Sequence, residues 1–174
     1  MDSIDAKKRR SSLRFSFLEG TFASSMTGFT QDYLAPFLIL LGAGAREIGM
    51  LSALPNFFAS LIQLKSADLT EKMRSRKKVI NTFVFLQALM LLPMAAIALS
   101  GGAKPMLFIF VVILFTSFGA LAQPAWGSLI SELVPEGERG SYLGSRNRAL
   151  GFVIVAATFA AGLTLHIIKR YNAF

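Results

Sequence analysis

The sequence predicts an all-α protein that crosses a membrane several times, and three observations lead to this prediction. Of its 174 residues, 53% are hydrophobic and only 16% are charged, whereas soluble domains carry about 25% charged residues. The apolar residues are concentrated in five long runs, which short or charged segments separate. Hydrocarbon offers no partner for unpaired backbone groups, so segments that cross it must be helices. This composition argues against a water-soluble enzyme.

Each apolar run is long enough to serve as a membrane span, which needs roughly 20 mostly apolar residues at about 1.5 Å each. The second run is the shortest, with 17 residues, and the first, with 27, is long enough to tilt or kink. The five predicted spans are Phe15–Leu41, Ile48–Leu64, Val79–Leu99, Met106–Ile130 and Ala149–Ile168.

The segments between the spans alternate in length and charge. Residues 42–47 and 100–105 are short, whereas residues 65–78 and 131–148 are long and charged. Together with a basic tail, residues 1–14, the two long segments carry 14 of the 18 Lys and Arg residues. Basic residues accumulate on the cytoplasmic side, so the tail and both long loops are predicted to be cytoplasmic. We therefore expect a multi-pass protein of the cytoplasmic membrane, and not a nucleic-acid-binding protein, despite the net charge of +8.

The chain lacks the residue types on which several kinds of site depend. It has no cysteine and one histidine, His166, so disulfides, thiolate metal sites and multi-histidine metal sites are excluded within it. It contains no GxxxxGK[ST] phosphate loop, so ATP-driven transport by this chain is not supported. Catalytic groups do not converge at one interface either. We predict neither an enzyme nor a metal or cofactor site.

The first predicted span carries two acids, Glu19 near its cytoplasmic end and Asp32 a few residues beyond its middle. An acid at the centre of a membrane costs about 2.5–3.5 kcal/mol on insertion scales, so a role for Asp32 is expected. Gly20, Ser24, Gly28 and Asp32 step by four and share one helix face. That small, polar face suits a close helix contact or a water-filled cavity.

Two interpretations of Asp32 are open. Pro36 has no N–H, so the carbonyl of Asp32 loses its usual helix donor, and a polar substrate, a proton or an ion would suit this position. Alternatively, the carboxylate bonds to a neighbouring helix and Pro36 merely kinks the span. Polar faces on the second and fourth spans, and an amide on the third, suggest a shared polar interior, although amides also hold helices together. The candidates for a substrate or proton pathway are Asp32, Gln31, Asn56, Gln63, Gln87 and Gln123.

Small residues also mark the approach to the fifth span and the span itself. Gly144, Gly151 and Thr158 follow one another at sevenfold spacing, and Gly162 lies close to the same face. Because bulky side chains are absent there, we expect another helix to approach this face closely.

The first long loop contains the charged pairs Glu71-Lys72 and Arg76-Lys77. Their spacing resembles the signature that the major facilitator superfamily carries between its second and third helices. That signature has a glycine, an acid four residues later with an adjacent base, a second glycine and a basic pair. In this chain Ala67 and Arg74 occupy the two glycine positions. A second register, with Asp68 as the acid, lacks the adjacent base.

The second long loop is a more specific match to the same family. It contains Pro135, the Arg139-Gly140 pair and then Gly144, with Gly151 further on, and it is similar to the family's loop before the fifth helix. Together with the predicted topology, the resemblance covers residues 15–174 and points to the N-terminal portion of such a transporter.

The resemblance implies a six-helix bundle of which five helices are present, and a further C-terminal half, so the chain is expected to be a fragment that lacks this partner. It also implies alternating-access secondary transport of a small solute, with protons as a candidate coupling ion. Inner-loop charges would then hold the cytoplasmic side shut. Two alternatives stand: these charges only set topology, or the protein is a non-transporting multi-pass scaffold or assembly protein. The gate candidates are Glu71, Lys72, Arg76, Lys77, Arg139 and Gly140.

Overall fold

All regular secondary structure in the described residues is α-helical, which confirms the predicted fold class. The structure is a computed structural model that describes the backbone of residues 2–100, 102 and 104–171, and the side chains of residues 9, 11–100, 102 and 104–167. The helices in this part of the chain are α1 (Asp2–Leu40), α2 (Ala45–Gln63), α3 (Ser66–Met73), α4 (Arg76–Leu89), α5 (Leu91–Leu99), α6 (Pro105–Leu133) and α7 (Glu136–Tyr171).

Three helical stretches among the described residues are long and apolar enough to cross a membrane. They are Arg76–Leu99, Pro105–Leu133 and Glu136–Ile167, with 24, 29 and 32 residues, and they correspond to the third, fourth and fifth predicted spans. The first two predicted spans form α1 and α2 but do not meet this criterion, because polar and charged residues interrupt their apolar runs. Membrane crossing by α1 and α2 therefore stays a prediction.

The charged segments predicted as a tail and loops are largely helical in the structure. Residues 2–14 belong to α1, residues 65–78 contain α3 and the first turn of α4, and α7 begins at Glu136. Only Val134 and Pro135 separate α6 from α7. Glu, Lys and Arg have high helix propensity, so a charged segment between two spans can itself be helical.

The third predicted span is divided in the structure. Helix α4 ends at Leu89 and α5 begins at Leu91, with Met90 between them. The cause lies in Pro93, whose nitrogen has no hydrogen and cannot bond to the carbonyl of Leu89. Next to this gap, the N–H of Met90 lies 3.3 Å from the carbonyl oxygen of Leu86 and 3.1 Å from that of Gln87, so the regular helical bond is shared with a tighter turn.

The chain divides into two compact units, which are described separately. The first combines Met1–Leu34 with Ser131–Phe174, and the second comprises Ala35–Ile130. Helix α1 ends in the second unit with Gly42 at φ +82°, a conformation that glycine adopts without strain. The N–H of Gly42 donates to the carbonyl of Ile39 at 2.9 Å, and that of Ala43 donates to the carbonyl of Leu38 at 3.2 Å.

The core of the second unit is built around α6. Val79 and Ile80, in the first turn of α4, pack with Ala125 of α6 in a buried cluster. The hydroxyl of Ser66, which is 1% exposed, donates to the carbonyl of Leu121 at 2.9 Å and fixes the start of α3 on α6. This hydrogen bond and this cluster hold the α3–α4 turn in place.

Candidate functional site

In the first unit, α1 and α7 run parallel and approach each other closely at Gly28. A Cβ atom built at Gly28 would lie 2.6 Å from the carbonyl oxygen of Ile154 and 2.7 Å from Cβ of Ala157, whereas carbon atoms in good contact are about 3.5–4.0 Å apart. Only a residue without a side chain fits between these two helices. The face predicted from Gly20, Gly28 and Asp32 thus forms a helix contact.

Asp32 lies at this contact and forms a hydrogen bond across it. The hydroxyl of Thr158 lies 3.0 Å from Oδ2 of Asp32 and 3.2 Å from the carbonyl oxygen of Gly28, and its single hydrogen can serve either acceptor. Tyr33 donates its hydroxyl hydrogen to the carbonyl of Thr158 at 2.7 Å. The structure thus contains a bond from Asp32 to a neighbouring helix, as the second interpretation expects, and a role for Asp32 in binding a substrate or proton stays a prediction. Asp32 is nevertheless exposed, and its Oδ1 accepts no hydrogen bond from the described residues.

A second contact between the two helices lies near the start of the predicted first span, where Arg146 of α7 meets Ser16 and Glu19 of α1. Arg146 is 8% exposed, and its guanidinium lies 3.7 Å from a carboxylate oxygen of Glu19. It also donates to the carbonyl of Ser16 at 3.2 Å, and it occupies the space beside Gly20 where a side chain would clash. By sequence alone, Arg146 is only one of the basic residues of the second long loop. Its four-residue step to Leu150 and onward to Thr158 was the signal that it shares the buried face of α7.

The predicted glycine face of α7 is only half correct. Thr158 bonds to α1, and a Cβ at Gly162 would lie 2.9 Å from the Tyr33 hydroxyl. Gly144 and Gly151, in contrast, have nothing within 4 Å of a built Cβ. The residues of α7 that meet α1 instead step by four, from Arg146 through Leu150 and Ile154 to Thr158.

The remaining pathway candidates do not bond to one another in the part of the chain that the structure describes. Gln31 is exposed beside Asp32, and Asn56 donates to the carbonyl of Ser52 in its own helix at 2.9 Å. Gln87 is half-buried, and its amide nitrogen would lie 2.7 Å from a Cβ at Gly119 of α6. Gln63 and Gln123 are exposed.

The gate candidates of the first charged loop lie at the α3–α4 turn, and their gating role stays a prediction. Glu71 and Lys72 are exposed in the last turn of α3, and Arg76 and Lys77 begin α4. Neither Glu71 nor Lys72 takes part in an ion pair with any described residue. An ion pair in this segment joins Lys65 to Asp68 at 3.7 Å, with both side chains more than 70% exposed.

The turn between these helices has the geometry that a glycine would favour. Arg74 adopts φ +49° and ψ +23°, the left-handed conformation, and its N–H donates to the carbonyl of Glu71 at 3.1 Å. Arg74 is the residue that takes the second glycine position of the motif described above. The tight turn is therefore formed without the glycine, at a cost of about 1–2 kcal/mol for a residue with a Cβ.

Arg139, in the second charged loop, donates hydrogen bonds to the carbonyls at the end of α6. Its Nε donates to the carbonyl of Val134 at 3.0 Å, and its Nη2 donates to the carbonyl of Ser131. These carbonyls lie at the end of α6, where the helix offers no donors of its own and where a positive charge is favourable. Gly140 follows in α7 with nothing within 4 Å of a built Cβ. Arg139 thus caps α6 and fixes the short connection to α7.

Comparison with protein families gives one match that covers most of the chain. Residues 20–172 match the family model described as Major Facilitator Superfamily. Comparisons with curated proteins and with solved structures gave no match. Within the described residues, no group of three or more His, Cys, Asp or Glu side chains could hold a metal ion.

Proposed function

Because this chain belongs to the Major Facilitator Superfamily, a family of membrane transporters for small solutes, we propose that it takes part in secondary active transport by alternating access. Its solute would be a small molecule, and protons are the candidate coupling ion. The cytoplasmic membrane, with the N-terminus inside, is the proposed location, on the strength of the 14 basic residues in the tail and long loops.

The observation that carries this proposal is the position of Asp32. One carboxylate oxygen is held by Thr158 of α7, while the exposed carboxylate keeps a second oxygen available. An acid at membrane depth is retained for a reason, and proton or solute binding is the usual one. The hydrogen bond fixes the orientation of the carboxylate and leaves it one face for a ligand.

The contact between α1 and α7 supports a rigid-body mechanism. Alternating access requires groups of helices that move together. Gly28 allows the two backbones to touch, and Arg146 joins them again at Glu19. In this proposal, α1 and α7 move as one body, and Asp32 stays in a fixed geometry during the movement.

A gating role for the charged loops is the second component of the proposal. Glu71, Lys72, Arg76 and Lys77 would pair with groups on the other half of the transporter, and Arg139 would act indirectly by fixing the end of α6. Exposed pairs contribute only about 0–1 kcal/mol each, so several must act together. The partner half would lie outside this sequence, in line with the expectation that the chain is a fragment.

The test is solute-driven proton movement into proteoliposomes. The protein is expressed together with any coding sequence that follows Phe174, reconstituted into vesicles that enclose the pH-sensitive dye pyranine, and exposed to sugars, amino acids, organic acids and organic cations in turn. We expect one class to change the pH inside the vesicles. If none does, although the protein is correctly inserted, proton-coupled transport of these solute classes is refuted.

With a responding solute in hand, Asp32→Asn tests the coupling. This variant keeps the hydrogen-bond acceptor for Thr158 but cannot exchange a proton, so we expect proton movement to fall to the background of empty vesicles. Asp68→Asn is the matched control, since it removes the same charge from an exposed site in α3. Unchanged proton movement in the Asp32 variant would remove Asp32 from the coupling mechanism.

A further inference from the structure

Thr158 differs from the other threonines of α1 and α7 in the direction of its hydroxyl. The others donate to the carbonyl four residues earlier in their own helix, a common arrangement for threonine, and they are Thr21, Thr27, Thr30 and Thr164. The Thr158 hydroxyl lies instead against α1, 3.0 Å from Oδ2 of Asp32 and 3.2 Å from the carbonyl oxygen of Gly28. Its orientation is therefore set by the contact between the two helices.

The single hydrogen of the Thr158 hydroxyl has two possible acceptors, and the charge of Asp32 decides between them. An ionised carboxylate can only accept, so the hydrogen must then point to Oδ2, because two oxygens 3.0 Å apart repel each other when no hydrogen lies between them. The Gly28 carbonyl keeps only its helical bond from the N–H four residues on, although its oxygen has two lone pairs. The ionised state thus has one hydrogen bond between Thr158 and α1.

A proton on Oδ2 of Asp32 reverses this arrangement. The carboxyl O–H then donates to the Thr158 oxygen, and the Thr158 hydrogen turns to the Gly28 carbonyl, which lies 3.2 Å away. Two hydrogen bonds now join Thr158 to α1, although no heavy atom has moved. A proton on Oδ1 would leave Thr158 with its single bond to Oδ2 and the Gly28 carbonyl without a second donor. The number of hydrogen bonds within the contact therefore favours Oδ2.

The ionisable groups on the two helices around this carboxylate are either engaged elsewhere or distant. Tyr33, next to it on α1, uses its hydroxyl hydrogen on the carbonyl of Thr158 at 2.7 Å. His166 lies two four-residue steps beyond Thr158, about 12 Å along α7, and the ion pair of Arg146 with Glu19 lies about 18 Å in the other direction. Among the described side chains, none forms an ion pair with this carboxylate. Its protonation is therefore linked most directly to the Thr158 hydroxyl.

From this geometry we infer that Thr158 is a positioning residue for a proton on Asp32. It donates to the ionised carboxylate and accepts from the protonated one, and in the second state it turns its hydrogen to the Gly28 carbonyl. The inference rests on the proposed proton-binding role of Asp32. In this step Oδ2 takes one proton from water and loses its negative charge, while Thr158 keeps its own hydrogen. Because Thr158 bonds to α1 in both states, proton binding leaves α1 and α7 joined.

The sequence offers a direct probe of the Gly28 carbonyl. Glycine precedes phenylalanine twice in the chain, at Gly28-Phe29 and at Gly151-Phe152. Labelling with carbonyl-¹³C glycine and ¹⁵N phenylalanine therefore gives two correlation signals in the NMR spectrum of the protein in detergent micelles, and Gly151→Ala removes one of them and so assigns both. A carbonyl that accepts an additional hydrogen bond moves to higher ¹³C shift, so the Gly28-Phe29 signal reports the direction of the Thr158 hydrogen.

The measurement follows this signal while the pH is lowered. The protonation of Asp32 is read in parallel from its ¹³C-labelled carboxyl group, which is assigned by its absence in Asp32→Asn. We expect the Gly28-Phe29 signal to move to higher shift as Asp32 takes up its proton, while the Gly151-Phe152 signal stays in place. A constant Gly28-Phe29 signal during protonation would overturn the inference and leave proton binding by Asp32 intact. A carboxyl signal that does not change with pH would refute proton binding itself.

Variants of Thr158 separate the role of the hydroxyl from that of packing. Thr158→Val keeps the shape of the side chain without the hydroxyl and should abolish the pH-dependent movement of the Gly28-Phe29 signal, whereas Thr158→Ser keeps the hydroxyl and should retain it. Thr164→Val is the matched control, since Thr164 of α7 donates to its own helix at Ala160, and it should leave the movement unchanged. Movement that persists in Thr158→Val, or that is lost equally in Thr158→Ser, would refute the role of the hydroxyl.

Discussion

The contact at Gly28 makes a quantitative prediction about the stability of the α1–α7 pair. In Gly28→Ala, the new methyl group would lie 2.6 Å from the carbonyl oxygen of Ile154 and 2.7 Å from Cβ of Ala157. Both atoms belong to the backbone or sit directly on it, so no side-chain rotation can relieve the clash. The helices must separate by about 1 Å to restore ordinary contact, and such overpacking costs about 1–3 kcal/mol.

The separation would also affect the hydrogen bonds at this contact. The Thr158 hydroxyl lies 3.0 Å from Asp32, so a displacement of about 1 Å takes it beyond hydrogen-bond range, at a cost of roughly 0.5–1.5 kcal/mol. Alanine is a better helix former than glycine by about 1 kcal/mol, which partly offsets these losses. We therefore expect Gly28→Ala to be slightly to moderately destabilising.

Gly151→Ala is the matched control, because nothing lies within 4 Å of a Cβ at that position. It gains the same helix propensity without a clash, so the difference between the two variants isolates the contact. We expect a difference of about 1.5–4.5 kcal/mol, which corresponds to roughly 3–18 °C in the midpoint of thermal unfolding in detergent. Equal midpoints would refute the close approach of α1 and α7.

Two more predictions concern arginines. Arg146→Met should destabilise the chain by about 1–3 kcal/mol, because Glu19 loses its charged partner and the Ser16 carbonyl loses a donor. Adding Glu19→Gln to this variant should recover part of the lost stability. If stability does not recover, the ion pair between Arg146 and Glu19 is refuted. Arg74→Gly should raise the free energy of unfolding by about 0.5–1 kcal/mol. Glycine adopts the left-handed conformation of this turn without strain, and this gain exceeds the entropy that glycine adds to the unfolded chain. Arg74→Ala is the control, because alanine keeps a Cβ, and its free energy of unfolding in neutral detergent should not rise. An equal rise in both variants would contradict the role of the backbone conformation.

Hydrophobicity was sufficient to predict much of the fold. The helical class follows from the apolar runs, and the third to fifth spans lie in helices that can cross a membrane. The charged segments were harder, because charge marks a side of the membrane but does not distinguish a helix from a loop. Helix α3 and the first turns of α7 were missed for this reason. The division at Met90 depends on one residue, Pro93, whose effect in a membrane helix depends on packing.

The candidate site was predictable where spacing determines geometry. The four-residue steps to Gly28 and Asp32 indicated one face, and that face does contact α7. The identity of the partner face was not predictable, since several periodic series run along α7 and only packing selects among them. Arg146 was missed because a basic residue near the membrane surface ordinarily remains in water. The turn at Arg74 also could not be foreseen, as non-glycine residues rarely adopt this conformation.

The parallel course of α1 and α7 limits how often the chain can cross the bilayer. If both helices cross in the same direction, the chain must return to its starting side between them, which takes an odd number of intermediate passages. Arg76–Leu99 and Pro105–Leu133 supply two. Helix α3 has eight residues and, at about 1.5 Å per residue, is too short to supply a third. On that condition a third passage is needed, and α2, with 19 residues, is long enough to supply it. That α1 and α2 cross the membrane stays a prediction.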